Sequence, residues 1–362
     1  MARGIRGAEA RYGWLFTAPA IIIIGVFLVL PIFLALYVSF SNWNGLGSPL
    51  GNSSIIGTKN YEKVLFDDGL AQKDFGTSIR NTIGYVVLVV PLQTALAMFL
   101  AVQVNRRLLR ARGFFRTAFY FPSVTSSVAI TTVFIFLFSA SGAVNSVIGW
   151  FGANGPNWFA DPSGVLHKLL GLFGVAESGP IAADGPLGLT WWDWVSGPSV
   201  AMCVLIILAI FTTSGTFMLL FLAALQNVGE EIEEAASVDG AGAFRRFFSV
   251  TLPMLKPTVF TVLTLGLIGT WQVFDQVYLT GGGDPGKTTL TPAYLAYQSS
   301  FINLHWGQGA AISFVLFLII VALTLLQRWI LRDRDLGRSG VRREKRVLDR
   351  FRAISQKRAG TR

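Results

Sequence analysis

Six long apolar stretches, joined by connections of very different length, dominate the pattern along this chain. They fall at 14–40, 79–104, 117–138, 200–225, 258–280 and 310–331. Each reaches the length of about 20 apolar residues that a helix needs to cross a bilayer. The pattern therefore predicts an all-α membrane protein with six transmembrane helices. Pro19, Pro31, Pro91 and Pro122 lie inside these stretches, which membrane helices tolerate because neighbouring groups satisfy the freed backbone. The first stretch, preceded by Arg3, Arg6 and Arg11, has the opening of a secretory signal. A signal core is only about 7–15 residues and ends at a small-residue cleavage site. Here the apolar run continues to Val38-Ser39-Phe40 with no Ala-x-Ala behind it, so an uncleaved helix is expected.

Composition agrees with the pattern and removes several function classes. Charged residues are 14% and hydrophobic residues 52% of the 362, against about 25% charged in ordinary soluble domains. A single cysteine, Cys203, excludes a disulfide framework. His167 and His305 have no partners at ligand spacing, so no metal site and no cofactor are expected. The formal charge of +10 would point to nucleic acid only if the charges clustered on a soluble face. They follow the membrane topology instead. Of the Lys and Arg residues, 24 fall on one side of the predicted spans, thirteen of them between 328 and 362, and 6 fall on the other. Cytoplasmic loops collect such residues. Both termini are thus expected in the cytoplasm and the chain in the plasma (inner) membrane as a multi-pass protein, with no nucleic-acid partner. The expected organisation is a cytoplasmic N-terminus (1–13), a transmembrane domain (14–331) and a basic cytoplasmic tail (332–362). The tail reads either as a polybasic segment that holds anionic membrane lipid or as a solvated end.

The loop at 140–198 is long, poor in charge and placed on the outer side. Gly149-Trp150-Phe151-Gly152 is echoed by Gly171-Leu172-Phe173-Gly174, and Trp158-Phe159-Ala160-Asp161-Pro162-Ser163 by Trp194-Val195-Ser196-Gly197-Pro198-Ser199. The two offsets differ, so this is no regular repeat. Its tryptophans suit a membrane interface.

The segment 226–256, on the cytoplasmic side, is the most informative. Glu230, Glu231, Glu233 and Glu234 open a short helix, where the macrodipole favours negative charge. Gly240 is placed to end it in a left-handed turn. A second short helix with Phe244, Phe247 and Phe248 beside Arg245 and Arg246 follows, with Pro253 breaking it before the next span. The result is a helix-turn-helix finger. Glu234-Ala235-Ala236, then Gly240, then Val250, Leu252 and Pro253 match every fixed position of the EAA motif of ABC-importer permeases, which the segment resembles. Over nearly the whole chain the resemblance narrows to the maltose-type sugar permeases: Asn42-Trp43, Asn60-Tyr61, Asn81-Thr82, Gly113-Phe114-Phe115-Arg116 and the run from Phe274 to Gly283 all look like that subfamily. Residues 165–197 look inserted.

The resemblance implies a type I importer permease core that catalyses nothing and binds no cofactor. It implies a second, homologous permease subunit, a cytoplasmic ATPase dimer that binds ATP, an extracellular substrate-binding protein and a carbohydrate substrate. It assigns ATPase coupling to Glu234, Ala235, Ala236, Asp239, Gly240, Leu252 and Pro253, and raises Thr213 and Phe217 as pocket residues. Thr213 and its hydroxylated neighbours also read simply as small residues at a helix contact.

Asp275 is the carboxylate placed inside a predicted span, where ionisable groups are costly and functional by default. On a continuous helix Trp271, Phe274, Asp275 and Tyr278 share one face, with Gln272 and Gln276 adjoining. That stripe offers rings to the C–H faces of a sugar and acceptors to its hydroxyls; alternatively the rings pack on other helices and a partner holds Asp275. A different function, an ion-coupled secondary transporter using Asp275, lacks the internal repeats such folds commonly show. Finally, Gly281 to Thr288 satisfies the Walker A pattern with Lys287, but a phosphate loop follows a strand. A turn before the sixth span is the expected structure.

Overall fold

The computed structural model describes residues 3–106, 111–175, 177, 179–227, 236 and 238–331. The chain divides into two compact units, Met1–Ile320 and Val321–Arg362. The basic tail expected at 332–362 lies outside the described residues.

Among the described residues the secondary structure is helical, with isolated bridges only. The first span is α1 (Arg3–Ile24), a π-helical turn at Gly25–Val29, and α2 (Leu30–Ser39). Short α3 (Lys59–Leu65) leads into α4 (Leu70–Asn105), then come α5 (Arg112–Val124) and α6 (Ser127–Leu137). The long loop carries α7 (Ala143–Trp150), α8 (Val165–Leu172) and α9 (Trp191–Val195) before α10 (Val200–Gln226). Then follow α11 (Ala243–Arg246), α12 (Leu252–Met254), α13 (Lys256–Trp271), α14 (Asp275–Leu279), α15 (Pro292–Tyr297) and α16 (Trp306–Ile330).

Among the described residues five segments are long and apolar enough to cross a membrane, at Arg11–Ser39, Leu70–Asn105, Val200–Gln226, Lys256–Leu279 and Trp306–Ile330. The sixth, expected as one helix at 117–138, is a pair, α5 and α6, bent by 96°. Its cause is local. After Val124 the backbone turns extended at Thr125 and stays non-helical at Ser126, and the Thr125 hydroxyl donates to the carbonyl of Phe121 at 2.9 Å, capping the end of α5. The two π turns at Gly25–Val29 and Phe247–Thr251 also have a local origin. Each precedes a proline, Pro31 or Pro253, and the residue before it bonds back five positions, Leu30 N–H to the Gly25 carbonyl and Leu252 N–H to that of Phe247. Widening the turn relieves the clash of the proline ring with the carbonyl four residues earlier.

Helix α4 is the centre of the bundle and packs against α10 and α13. The spacing of its residues explains how. Ala97 and Ala101, four apart and both fully buried, give α4 a flat stripe that receives Met218, Phe221, Leu222 and Leu225 of α10. Small residues at this spacing let helix backbones approach in a solvent where water does not drive association. Helix α5 crosses α10 at Gly215, where a Cβ would stand 2.3 Å from the Phe119 carbonyl oxygen. The Ser123 hydroxyl ties the crossing by donating to the Thr212 carbonyl at 2.5 Å and accepting from Thr216 N–H at 3.1 Å. Gly215→Val is expected to destabilise the chain by about 1–3 kcal/mol, because backbone and not a flexible side chain must yield. A thermal melt in detergent followed by circular dichroism reads this as a lowered midpoint; an unchanged midpoint contradicts it.

The echoes in the long loop have a structural meaning. Helices α7 and α8 stop alike, each at a left-handed glycine, Gly152 and Gly174. The second pair of echoes meets: Val165 N–H donates to the Pro198 carbonyl at 2.9 Å, Leu166 N–H to that of Ser196 at 3.2 Å and Val200 N–H to that of Ser163 at 3.3 Å. Gly164 permits this, since a Cβ there would lie 2.2 Å from the Ser196 carbonyl oxygen. The segment that looked inserted is thus closed at its base. Just before it, Lys168 at 2.5 Å, and then Ser163, hold the Asp161 carboxyl down to about 2.

Candidate functional site

A cavity of about 250 Å³ opens beside α4, walled by α10, by α13 and by the chain that follows α13. Five of the residues expected in a substrate site line it: Thr213, Phe217, Phe274, Asp275 and Gln276. Trp271 and Tyr278 do not, and the stripe that grouped them is not formed. Helix α13 ends at Trp271, Gln272 to Phe274 leave helical geometry, and α14 restarts at Asp275. The Val273 carbonyl released by this break is taken by the buried Thr291 hydroxyl at 3.0 Å. Trp271 consequently turns into the bundle, nearly fully buried, while Tyr278 stands half-exposed and stacks on Phe274 at 5.7 Å. Asp275 does not sit in the middle of a helix. It occupies the first turn of α14, exposed, where free N–H groups favour a negative charge.

The residue that composition and spacing missed is Gln93 of α4. It is fully buried and lines the cavity. Its Oε1 accepts from the Thr213 hydroxyl at 2.5 Å, and its Nε2 has no partner among the described residues. The Thr213 hydroxyl also lies 2.6 Å from the Ala209 carbonyl. Gly266 leaves room for this amide, since a Cβ there would be 2.5 Å from Nε2. A signal was available: a glutamine two residues after Pro91 in the middle of an apolar span is costly to bury. Ring faces from Phe217 and Phe274, threonine hydroxyls, the amides of Gln93, Gln272 and Gln276 and one carboxylate make a wall suited to a neutral polyhydroxyl ligand.

At the opposite end of α10 stands the finger. Glu234 and Ala235 lie outside the described residues. Ala236 and Val238 are helical, and Ala241 N–H returns to the Ala236 carbonyl at 3.0 Å around Gly240, whose φ is +77°. This six-to-one bond is the Schellman stop expected of that glycine. A Cβ at Gly240 would meet nothing within 4 Å. Beyond it α11, the π turn and α12 run together to a turn at Leu255, so the second helix of the finger passes through Pro253 and breaks two residues later. Phe244 and Phe248 meet at a tilt, 4.5 Å apart, on its surface, and Phe244 is 78% exposed. Leu255, by contrast, is buried with Val104 and Leu225 and roots the finger in the bundle.

Comparison with known proteins decides the family. Residues 93–335 match the family described as binding-protein-dependent transport system inner membrane component. The lactose transport system permease protein LacF of Rhizobium radiobacter is 33% identical over 341 residues, 92% of this chain and all of that protein. The chain belongs to this family of ABC transport permeases. The arabinooligosaccharides permease AraP of Halalkalibacterium halodurans is 31% identical, over 76% of this chain and 75% of its own. Among solved structures, a bacterial ABC transporter involved in import of the acidic polysaccharide alginate has the same fold, with a TM-score of 0.67 at 19% identity over 91% of this chain and 98% of that one. An inner membrane permease with several apolar helices is a multi-pass protein of the plasma membrane.

In this permease the segment that imitates a phosphate loop is a turn. A helix, α14, precedes it. Lys287 Nζ pairs with Asp74 at 2.6 Å, and Asn81 Nδ2 donates to the carbonyls of Lys287 and Leu290 at 2.8 and 3.0 Å. Gly282 serves packing, because a Cβ there would lie 2.2 Å from the Tyr294 hydroxyl. Between this turn and the long loop is a second, polar cavity of about 380 Å³, lined by Arg80, Asn81, His167, Asp193 and Lys287 among others. Arg80 donates to Asn81 Oδ1 at 2.9 Å and faces Asp193 at 3.9 Å. The end of α4 that carries Arg80 and Asn81 therefore anchors both loops.

Proposed function

We propose that this chain forms one half of the translocation pathway of an ATP-driven importer for a carbohydrate, probed first as di- and oligosaccharides. The observation that carries this reading is the cavity at the break after α13, where Phe217 and Phe274 present rings beside Thr213, Gln93, Gln276 and Asp275. Relatives named for lactose, arabino-oligosaccharides and multiple sugars support the substrate class. A second, homologous permease supplies the other half of the pathway. An extracellular binding protein delivers the sugar, as the alginate importer's complex with its periplasmic protein supports. The excess of Lys and Arg places the termini and the finger in the cytoplasm. There Glu234, Ala235, Ala236, Asp239, Gly240, Leu252 and Pro253 engage an ATPase dimer. This chain catalyses nothing itself, and ATP is bound by the partner.

Coupling follows from geometry. The finger is rooted through Leu255 in the core shared by α4 and α10, and both helices wall the cavity. Closure of the ATPases around the finger therefore moves cavity walls as rigid bodies, which is alternating access driven by different contacts in two states. Purification in mild detergent is expected to recover this chain with a second permease and an ATPase in fixed stoichiometry. In proteoliposomes made from that complex, uptake should require ATP and survive collapse of the proton gradient. Asp275→Asn should weaken uptake a few-fold while leaving it ATP-dependent. Uptake by this chain alone under a pH gradient, abolished by Asp275→Asn, would establish the ion-coupled carrier instead.

A further inference from the structure

From the cavity, a line of touching aromatic rings leads along one end of the bundle. Phe274, in the cavity wall, stacks on Tyr278 and stands edge-on to Tyr297 at 5.3 Å. Tyr297 stacks on Phe301 at 5.3 Å, Phe301 meets Trp306 at 4.6 Å, and Trp306 meets Trp43 at 5.2 Å. Consecutive steps thus lie between 4.6 and 5.3 Å. The rings come from four segments: the break after α13, α15 with the π turn Gln298–Ile302 that continues it, the start of α16, and the loop after α2. Such an alignment is not a by-product of one amphipathic helix.

Its far end is fixed by backbone. Gly45, at φ +89°, lies under the indole of Trp306, where a Cβ would be 2.1 Å from Nε1. Its middle is open: Tyr278 is 49% and Phe301 57% exposed. The chemistry also differs from the bare apolar surface of the first span, where Ile21, Ile22, Ile23, Ile24 and Phe27 are exposed with no hydroxyl among them. Here two tyrosines bring hydroxyls to ring faces, the combination that matches a sugar's C–H face and its hydroxyl rim. Isolated rings would suffice for an interfacial belt; a continuous file ending in the cavity does more.

We propose that this file of rings is a set of successive stacking subsites for a carbohydrate chain of several rings, guiding it into the cavity at Phe274. The proposal rests on the carbohydrate reading given above and adds selection by chain length. Each ring passed by the sugar removes apolar surface from water, so longer chains gain more.

The test uses the complete importer with its partner subunits in proteoliposomes. The probes are lactose and labelled arabino- and gluco-oligosaccharides of two to six rings. Tyr297→Ala and Phe301→Ala are expected to raise KM for five- and six-ring chains about fivefold and to change two-ring uptake far less. Tyr297→Phe, which keeps the ring, should retain the wild-type length profile. Copurification of the partner subunits checks that each variant assembles. Equal losses at every length, or none, would overturn the stacking file while leaving the carbohydrate reading in place. Wild-type importer that takes up none of the probes would overturn both.

Discussion

Gly240→Trp is expected to leave the permease folded and assembled in the membrane pair and to abolish substrate-stimulated ATP hydrolysis. Within this chain the substitution has little to disturb. A Cβ at Gly240 meets nothing within 4 Å, and the remaining cost is that of a left-handed residue other than glycine at φ +77°, about 1–2 kcal/mol. The finger is held by Leu255 in the core and not by this turn. An indole projecting from the turn is therefore expected to clash with whatever the finger docks into. Gly240→Asn provides the control, because asparagine adopts the left-handed conformation and is small; it should keep most of the stimulation. The measurement is ATP hydrolysis by reconstituted importer with and without loaded binding protein. Normal stimulation in the tryptophan variant, with copurification intact, would remove the coupling role.

Gln93→Leu separates a ligand-binding role from a structural one at the other end of the same helices. The leucine is close in volume to the glutamine and creates no orphan, since the Thr213 hydroxyl keeps the Ala209 carbonyl at 2.6 Å as acceptor. It also removes Nε2, a buried donor without a partner among the described residues. Replacing a partly satisfied buried amide by an apolar group of similar shape is close to neutral or gains up to about 1 kcal/mol. The melting midpoint should thus stay or rise, while sugar uptake falls about tenfold, the loss of one hydrogen bond to a bound ligand. Unchanged uptake would assign Gln93 to packing alone.

The places where reading and structure diverge share a cause. No Pro or Gly interrupts Trp271-Gln272-Val273-Phe274-Asp275, so a helical face was the natural inference. The break there is stabilised from eighteen residues away by Thr291, and it moves Trp271 into the core and Tyr278 onto the surface. The bend after α5 was more legible, because the run Ser123 to Ser127 stands in the sequence. The Schellman stop at Gly240 was legible in full, being a matter of one residue's backbone freedom.

What the sequence determined by itself is what depends on short range and on solvent. Apolar runs long enough for a bilayer, the lopsided distribution of Lys and Arg, the spacing from Ala236 to Pro253 and the glycine that ends a helix all act within a few turns of chain. Only the tertiary structure decided which polar groups meet. Gln93 and Thr213 are 120 residues apart, and the rings from Phe274 to Trp43 join four segments. In a membrane, where apolar surface is already at home in lipid, helix packing is selected by close fit and by satisfying buried polar groups. Those conditions belong to pairs of helices, and no single stretch of sequence carries them.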